Sequence, residues 1–394
     1  MKPARQSGFT LVELMVAMAI GLVLSLAVGM TMVSMGQQFR SVAGTSAAQV
    51  GVQMALSLVD AAGREAGTGL FSNGQPLCQQ FNAWRAGAVV SNGAPLLPAR
   101  IVAGGSATAS DRLIFTASNA IGPLSAMPVL APMASTDADL AVTDSGLLAL
   151  NDLVIVGIPG ATTVPCSLFQ VTAAPSTSTA CGGNASQCKS VTHTANASYN
   201  APAGTFTTET RYGFVSAGAV SGPAVVYRLG PQFRQDAFAV LCETLVRYNA
   251  FSDSPGCSTA PLTMRGGANA LVPDIVLMKA QYGVSASASS DVVNDWVDAS
   301  GSWASPGASD IGRIKAVRVV IVSRAKERGN GDVTAASCTN GSGVVNTGPC
   351  SFDDAQAPVI NLSGVGVPSG ANWRQYRYRV HQAVIPLRNV IWST

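Results

Sequence analysis

A single carboxylate interrupts the most apolar part of this chain. Glu13 lies near the start of a run from Phe9 to Met35 that contains no other charged residue and is rich in Leu, Val, Met, Ala and Ile. An unpaired charge at membrane depth costs at least ~2.5 kcal/mol on insertion scales. Glu13 is therefore a candidate functional residue, and its expected chemistry is the pairing of its carboxylate with a cation.

Eight cysteines form the second group of residues with a chemistry of their own. Their even number favours disulfide bonds in a body that lies outside the cytoplasm, as the N-terminal segment indicates below. Short loops favour three local pairs and leave one long-range pair; the expected pairs are Cys181–Cys188, Cys242–Cys257, Cys338–Cys350 and Cys78–Cys166. Zinc binding is the alternative, but the sequence has no Cys-x-x-Cys motif and only two histidines, His193 and His381.

Motifs of catalytic and nucleotide-binding sites are absent from the sequence. There is no Gly-rich phosphate loop, no Gly-x-Ser-x-Gly and no His-Glu-x-x-His. His381 has a strand-like setting, and Asp253 and Asp291 stand in predicted loops, so we expect these residues to be structural. The formal charge of +3 includes no basic block, which argues against nucleic-acid binding. We expect neither an enzyme nor a bound cofactor.

The element that must position Glu13 is a helix long enough to cross a bilayer. The run from Phe9 to Met35 has 27 residues, and at 1.5 Å per residue it exceeds a hydrocarbon core of about 30 Å. Lys2 and Arg5 precede it with no acidic residue nearby, so we expect the N-terminus in the cytoplasm and the body on the other side. A secretory signal peptide and a plain anchor with an incidental glutamate are the alternatives.

The helix is expected to continue beyond the membrane as an amphipathic segment, 36–66. No proline occurs from Gln37 to Ala66. Apolar residues recur there at three- and four-residue spacing and predict one stripe that packs on the body; they are Val50, Met54, Leu58 and Ala61. Gly67-Thr68-Gly69 is the expected stop.

Short strands separated by Gly, Pro, Ser and Asn are predicted beyond Gly69. The clearest are Arg112–Thr116, Leu153–Val156, Ala224–Leu229, Ala316–Val322 and Tyr376–Val380. Residues 173–203 are predicted to form a long loop held by Cys181 and Cys188. A long helix followed by such strands predicts an α+β fold, with the helix packed on an antiparallel sheet and loop-rich insertions.

The first residues carry a resemblance to a known family. Gly8-Phe9-Thr10-Leu11-Val12-Glu13-Leu14, preceded by a short basic leader, resembles the processing site and N-terminal helix of type IV pilins and pseudopilins. The resemblance implies removal of the leader, residues 1–8, by cleavage between Gly8 and Phe9, and N-methylation of Phe9. Glu13 would be the fifth mature residue and would set assembly register by pairing with the ammonium group of a neighbouring subunit's Phe9.

The C-terminal half narrows the resemblance. The order of its apolar and aromatic segments is similar to that of the PilW family of type IV pilus assembly proteins, and more loosely to the J-type minor pseudopilin of type II secretion. The segments are Leu271–Gly283, Trp296, Ile314–Arg324, Tyr378-Arg379 and Ile385–Asn389. Residues 70–210 carry no motif that we recognise.

The resemblance implies a pilin-like α+β fold, in which segment 9–35 is the transmembrane and assembly helix and 67–394 is the disulfide-containing globular domain. It implies a minor pilin that is processed by the prepilin peptidase and then joins, or primes, a type IV pilus near its tip. The implied partners are other minor pilins, the major pilin, the peptidase and the inner-membrane platform protein. The chain would be a single-pass inner-membrane protein with a periplasmic body before assembly and part of an extracellular pilus afterwards.

Three alternatives remain open at the level of sequence. The chain could be a secretion pseudopilin, or its middle region could be an adhesin or binding module at the filament tip. The third alternative is calcium binding, because the loop that starts at Val284 carries Asp291, and Asp295 and Asp298 follow further on. These carboxylates do not match the calcium-loop template, so a solvated loop is favoured and no metal site is expected.

Overall fold

The computed structural model describes residues 10–72, 75–118, 126–143, 148–180, 188–195, 198–207, 211–212, 224–259, 262–367 and 370–391. Helix α1 runs from Leu11 to Glu65 without a break, which makes it about 83 Å long at 1.5 Å per residue. Ala66 is its C-cap. At Gly67 the backbone takes a positive φ of 80°, and the Gly67 N–H donates to the carbonyl of Thr116 at 2.8 Å. The chain therefore leaves the helix and enters the body within the expected glycine segment.

The body is built from short strands, which alternate with loops along the chain. The first twelve are β1 (Phe71–Ser72), β2 (Gln75–Pro76), β3 (Phe81–Arg85), β4 (Ala88–Ala94), β5 (Ala99–Val102), β6 (Arg112–Ser118), β7 (Met127–Ala131), β8 (Leu140–Val142), β9 (Leu153–Gly157), β10 (Cys166–Gln170), β11 (Ser176–Thr177) and β12 (Lys189–Val191).

The remaining twelve strands are longer on average and reach the C-terminal region. They are β13 (Val225–Gly230), β14 (Phe233–Leu241), β15 (Thr244–Asn249), β16 (Gly256–Thr259), β17 (Leu262–Arg265), β18 (Asn269–Pro273), β19 (Ile275–Val284), β20 (Asp295–Asp298), β21 (Ile314–Arg328), β22 (Cys338–Thr339), β23 (Val345–Asn346) and β24 (Tyr376–Pro386). A short helix, α2, spans Arg388–Ile391, and 3₁₀ turns occupy Gly301–Ala304, Ala308–Arg313 and Trp373–Gln375.

Three sheets make up most of the body. The largest has nine strands in the order β11-β12-β8-β7-β13-β9-β10-β3-β4, a second has five in the order β18-β15-β14-β6-β5, and the C-terminal sheet has four in the order β20-β19-β21-β24. Neighbouring strands are antiparallel except for β10 and β3, which are parallel. The apolar helix and the mostly antiparallel body confirm the predicted α+β layout.

The face that α1 buries is not the predicted one. The second half of the helix packs on the five-stranded and C-terminal sheets through Val52, Ala55, Val59 and Ala62, all at most 4% exposed. Val50 and Met54 of the predicted stripe are instead 66% and 68% exposed. Leu58 of the predicted stripe does pack against this core. The prediction was wrong for Val50 and Met54 because the spacing of apolar residues indicates a helical stripe, whereas the position of the sheets decides which side of the helix is buried.

The loop predicted over residues 173–203 is interrupted by two short strands. β11 pairs with β12, and β12 pairs with β8, so this segment forms one edge of the nine-stranded sheet. Val191 is fully buried in that sheet. The Ser/Thr-rich composition predicted a loop because strands of two or three residues leave too little periodicity to detect.

Candidate assembly interface

The start of α1 is fixed by a reciprocal pair of hydrogen bonds between Thr10 and Glu13. The Thr10 N–H donates to Glu13 Oε2 at 3.0 Å, the Thr10 hydroxyl donates to the same oxygen at 2.9 Å, and the Glu13 N–H donates to Thr10 Oγ1 at 3.3 Å. This capping box satisfies donors that the first helical turn leaves open. Glu13 therefore has a structural role in the helix start that leaves its other oxygen, Oε1, without a partner among the described residues.

The first part of α1 makes no contact with the body. The segment from Leu11 to Met32 is long and apolar enough to cross a membrane, and none of it is buried. A helix this apolar that stands free of its own domain requires another apolar environment, either lipid or neighbouring helices. The N-terminal apolar helix thus fits membrane anchoring.

The second part of α1 lies close to the sheets, and at Gly63 there is no space for a larger side chain. A Cβ atom on Gly51 would lie 3.5 Å from Val272 of β18, in ordinary contact. A Cβ atom on Gly63 would lie 3.1 Å from Phe115 Cζ of β6 and would overlap Ile385 of β24. The glycine at position 63 therefore sets how closely the helix meets the end of β24.

The C-terminal end of α1 is capped by a residue more than 300 positions away. The Asn389 side-chain amide donates to the carbonyls of Arg64 and Ala66, both at 3.1 Å, and to Thr68 Oγ1 at 3.0 Å. The last carbonyls of a helix lack partners within the helix, so an amide donor satisfies them. Asn389 thus connects the segment that follows β24 to the end of α1, a role that no local feature of the sequence indicates.

A chain of charged residues joins the helix end to the five-stranded sheet. Glu65 pairs with Arg234, which also pairs with Asp236 at 2.7 Å, and Asp236 pairs with Arg247 at 2.8 Å. Asp236 is buried, and its two arginines compensate its charge. This network and the Asn389 cap hold the helix end from two sides.

The opposite face of the C-terminal sheet buries an arginine. Arg318 of β21 is 2% exposed and makes a bidentate pair with Asp354 at 2.6 and 3.2 Å. Its guanidinium also donates to Gln281 Oε1 and to the carbonyl of Gln356, and it lies between the rings of Trp296 and Phe352. The hydrogen bond from Arg318 lowers the pKa of the Asp354 carboxyl. The arginine thus fastens the segment 352–356 over the sheet.

Two family models match the chain. The prokaryotic N-terminal methylation motif matches residues 3–29, and the model of Type IV Pilus-assembly protein W matches residues 257–389, from β16 to α2. Together these matches support a PilW-family type IV pilus protein. No curated protein and no solved structure matches it. The matched C-terminal region contains Asn389 and Arg318, so the parts of the PilW-family protein that cap the helix and fasten the sheet lie in the region of family similarity.

The predicted processing residues are only partly covered by the structure. Gly8 and Phe9 lie outside the described residues, so cleavage and methylation stay predictions. Glu13 lies within α1 and faces outward. The pairing of its carboxylate with a neighbour's ammonium group also stays a prediction.

Three disulfides join cysteines of the described segments. They are Cys242–Cys257 and Cys338–Cys350, two of the local pairs that loop length favoured, and Cys78–Cys166, the expected long-range pair. Cys188 is buried and disulfide-bonded, while Cys181 lies outside the described residues, so the Cys181–Cys188 pair stays a prediction. Each pair belongs to a different part of the body. Cys78–Cys166 ties the chain to β10 of the nine-stranded sheet, and Cys242–Cys257 lies beside β15 of the five-stranded sheet. Cys338–Cys350 lies in the segment that covers the C-terminal sheet.

The three carboxylates considered for calcium are engaged separately. Asp291 pairs with the buried Lys315 at 3.3 Å. Asp295 accepts from Gln356 Nε2 at 3.0 Å, and Asp298 accepts from Gln281 Nε2 at 2.7 Å. Across the described residues, no group of three or more His, Cys, Asp or Glu side chains could hold a metal ion. Asp295 and Asp298 also begin and end strand β20 and are not in the predicted loop.

Both histidines have structural surroundings. His193 is buried, its ring stacks on Phe169 with centroids 4.2 Å apart, and its Nε2 lies 2.8 Å from the carbonyl of Ala138. Burial lowers the pKa of His193 below its ordinary value. His381 of β24 lies 3.5 Å from Ser323 Oγ, and partial burial lowers its pKa as well. Each histidine serves the packing of a sheet.

Proposed function

We propose that this PilW-family protein is a minor pilin, which is cut between Gly8 and Phe9 by the prepilin peptidase and then joins a type IV pilus at or near the tip. The single observation that carries the proposal is the continuity of α1: a bare apolar half, able to cross a membrane, runs without a break into a half that docks on the PilW-matched sheet. A subunit built in this way can leave the lipid with its helix and keep its body fixed to that helix.

The mechanism in this proposal is assembly and not catalysis. The apolar half of α1 is transferred from lipid to a bundle of helices, and the Glu13 carboxylate selects the register by pairing with the ammonium group of a neighbour's Phe9. The partners are other minor pilins, the major pilin, the platform protein and the peptidase. Before assembly the body is periplasmic and α1 is the only anchor in this proposal.

The N-terminal mass of the protein recovered from cells with and without the prepilin peptidase tests the proposal. A chain that begins at methylated Phe9 only when the peptidase is present supports it. A chain that keeps residues 1–8 in both strains contradicts it. A Gly8→Val variant is the matched control, because it should keep the leader in both strains while α1 and the body stay unchanged.

A second function, display of a binding module, is favoured by the nine-stranded sheet. Its cores are formed by residues of the middle region, and no residue of α1 belongs to them in the described part of the chain. Removal of residues 173–203 takes away β11 and β12 and leaves β8 as the new edge. For a tip adhesin we expect this deletion to leave piliation intact and to abolish attachment. A type II secretion pseudopilin is the remaining alternative, and it predicts loss of secretion instead.

A further inference from the structure

In the described part of the chain, the last strand of the C-terminal sheet has no neighbouring strand on one side. β24 is 11 residues long and pairs with β21 on one side only. Its register with β21 is unbroken from the pair Ala316–Pro386 to the pair Arg324–Tyr378. Long, regular edge strands of this kind are templates for pairing with another chain, and proteins usually shorten, bend or cover them.

The direction of each backbone group of β24 follows from one hydrogen bond. The Leu387 N–H donates to the carbonyl of Lys315 at 2.8 Å. In an antiparallel ladder the residues that exchange hydrogen bonds alternate along each strand. Odd-numbered residues of β24 therefore bond to β21, and even-numbered ones point their N–H and C=O groups away from the sheet.

Two other contacts agree with this alternation. The Arg324 N–H donates to the carbonyl of Asp274 on the β19 side, so even-numbered residues of β21 face away from β24. The Thr334 hydroxyl donates to the carbonyl of Tyr376, which shows that the carbonyl of this even-numbered residue points outward. The outward residues along the open edge are Tyr378, Val380, Gln382 and Val384.

The open edge has defined ends. Thr334 occupies the carbonyl of Tyr376 at one end, and Pro386, which has no N–H, closes the other. Between them, no described residue bonds to the outward backbone groups of 378–384. This leaves a stretch of seven residues, or about 23 Å at 3.3 Å per residue.

The surroundings of the edge favour an acidic partner. Arg377 and Arg379 are exposed on β24, on the face that Ile385 turns toward α1. Opposite charges on neighbouring strands attract, and like charges repel. A second copy of β24 would add two more arginines and no acidic residue, so an acidic strand suits this edge better than pairing of the chain with itself.

We propose that the open edge of β24 receives an extended, acidic segment of another pilus subunit as a fifth strand of the C-terminal sheet. The segment would lie beside the docked half of α1, because β24 is packed against that helix at Gly63 and Ile385. The identity of the partner as a pilus subunit rests on the proposed function. The location of the binding site rests only on the geometry of β24.

A proline at an outward position tests the edge without breaking the sheet. Gln382→Pro removes an N–H that no described residue uses, and proline is tolerated at such positions of edge strands. We expect at least a tenfold loss of this variant from sheared pili relative to its amount in the membrane. Gln382→Ala keeps the N–H and should match the unsubstituted chain. Equal recovery of Gln382→Pro and Gln382→Ala overturns the proposal.

The acidic character of the partner is tested by charge reversal. Arg377→Glu combined with Arg379→Glu should lower recovery in pili at least fivefold, while Arg377→Lys combined with Arg379→Lys should leave it unchanged. Unchanged recovery of the glutamate variant overturns the acidic partner.

Hydrogen exchange gives a measurement that does not depend on any variant folding. In the full chain in detergent, the amides of Arg379, His381 and Ala383 should be protected and those of Val380 and Gln382 should not. In pili, Val380 and Gln382 should gain at least tenfold protection. Fast exchange of both amides in pili overturns the proposal. Absence of the chain from pili contradicts the proposed function instead. In that case the exchange of the same two amides is measured in the complex that stays in the membrane, and fast exchange there overturns the proposal.

Discussion

The nine-stranded sheet and the C-terminal sheet of this protein differ in what they pack against. The core of the C-terminal sheet includes α1, through Val52, Ala55 and Val59. The cores of the nine-stranded sheet draw on the middle of the chain, with Val154 and Val226 in one and Phe81 and Ile155 in the other. Among the described residues, α1 is therefore packed against the C-terminal sheet and not against the nine-stranded sheet.

This difference separates two kinds of constraint. A change in the C-terminal sheet alters the angle and closeness of α1, and in the proposed function it thereby alters the geometry with which a subunit enters a filament. A change in the nine-stranded sheet alters a surface that α1 does not contact among the described residues. The family match covers the first region, residues 257–389, and not the second.

Loss of the Cys78–Cys166 disulfide should have the largest effect on stability and should confine it to the nine-stranded side. The bond closes a loop with a sequence separation of 88, for which the loop-closure model gives about 4.6 kcal/mol. We expect Cys78→Ala combined with Cys166→Ala to lower the free energy of unfolding by about 4 kcal/mol in denaturant titrations. Hydrogen exchange in α1 should not change, and faster exchange at Val59 would break the comparison.

Loss of the buried arginine should destabilise the C-terminal sheet. Arg318→Ala removes the bidentate pair with Asp354 and leaves Gln281 Oε1 without its donor, while the Gln356 carbonyl keeps only the hydrogen bond from Gln281 Nε2. Broken buried pairs cost about 3 to 5 kcal/mol, and we expect the lower value because Asp354 is partly exposed. Arg374→Ala is the control, since its pair with Asp332 is more exposed. Equal losses for the two variants would contradict the importance of burial.

A methyl group at Gly63 tests the closeness of the helix to β24. Gly63→Ala forces the added Cβ into Ile385 and against Phe115, and overpacking of this kind costs about 2 kcal/mol. Gly29→Ala is the matched control in the same helix, because nothing lies within 4 Å of its added Cβ. Thermal unfolding should shift for the first variant only. Because alanine has a higher helix propensity than glycine, an equal fall in the unfolding temperature of Gly29→Ala would contradict packing against Ile385 and Phe115 as the cause.

The pH dependence of stability tests a buried residue of the nine-stranded sheet region, His193, whose ring stacks on Phe169 of β10. Burial holds the pKa of His193 below its ordinary value of 6.5, so the unfolded chain binds the proton more readily than the folded chain. The stability that neutral His193 contributes is present above pH 6.5 and is lost as the pH falls below it, by at most about 1.36 kcal/mol per pH unit. His193→Gln should flatten this slope between pH 6.5 and 5. A slope that persists would assign it to other groups.

The smallest effect is expected from the helix cap. Asn389→Ala removes three hydrogen bonds at the end of α1, and loss of a cap costs about 1 kcal/mol. Asn200→Ala is the counterpart in the nine-stranded sheet, where the amide bonds to Gln170 and Thr194. Only Asn389→Ala should speed hydrogen exchange in the last turn of α1. The same change in Asn200→Ala would contradict the separation of the two sheets.

Some elements could be predicted because their local signal is strong. Leu153–Val156 is a continuous apolar run, and Ala316–Val322 is apolar except for Arg318; both become strands buried on both faces. The Leu11–Met32 part of α1 is apolar enough to cross a membrane although it contains Glu13. The phase of the docked half of α1 could not be predicted, because its contact depends on small residues such as Ala55 and Gly63 whose burial is decided by the partner sheet.

The residues that hold the interface were mostly beyond sequence reasoning. The Asn389 cap joins positions more than 300 residues apart, and nothing local marks it. Arg318 did carry a signal, since a lone charge within the apolar strand Ala316–Val322 must find a buried partner or disrupt the strand. Its partner Asp354 lies in a loop region, and the sequence does not distinguish it from the other aspartates as the partner of Arg318.

The central claim, that assembly depends on the coupling of α1 to the C-terminal sheet, is tested most directly by the pilus content of two folded variants. The amount of Gly63→Ala in sheared pili, divided by its amount in the membrane, should fall well below that of the unsubstituted chain. The same ratio for Cys78→Ala combined with Cys166→Ala should stay unchanged. A normal ratio for Gly63→Ala together with a lowered ratio for the cysteine variant would contradict the account.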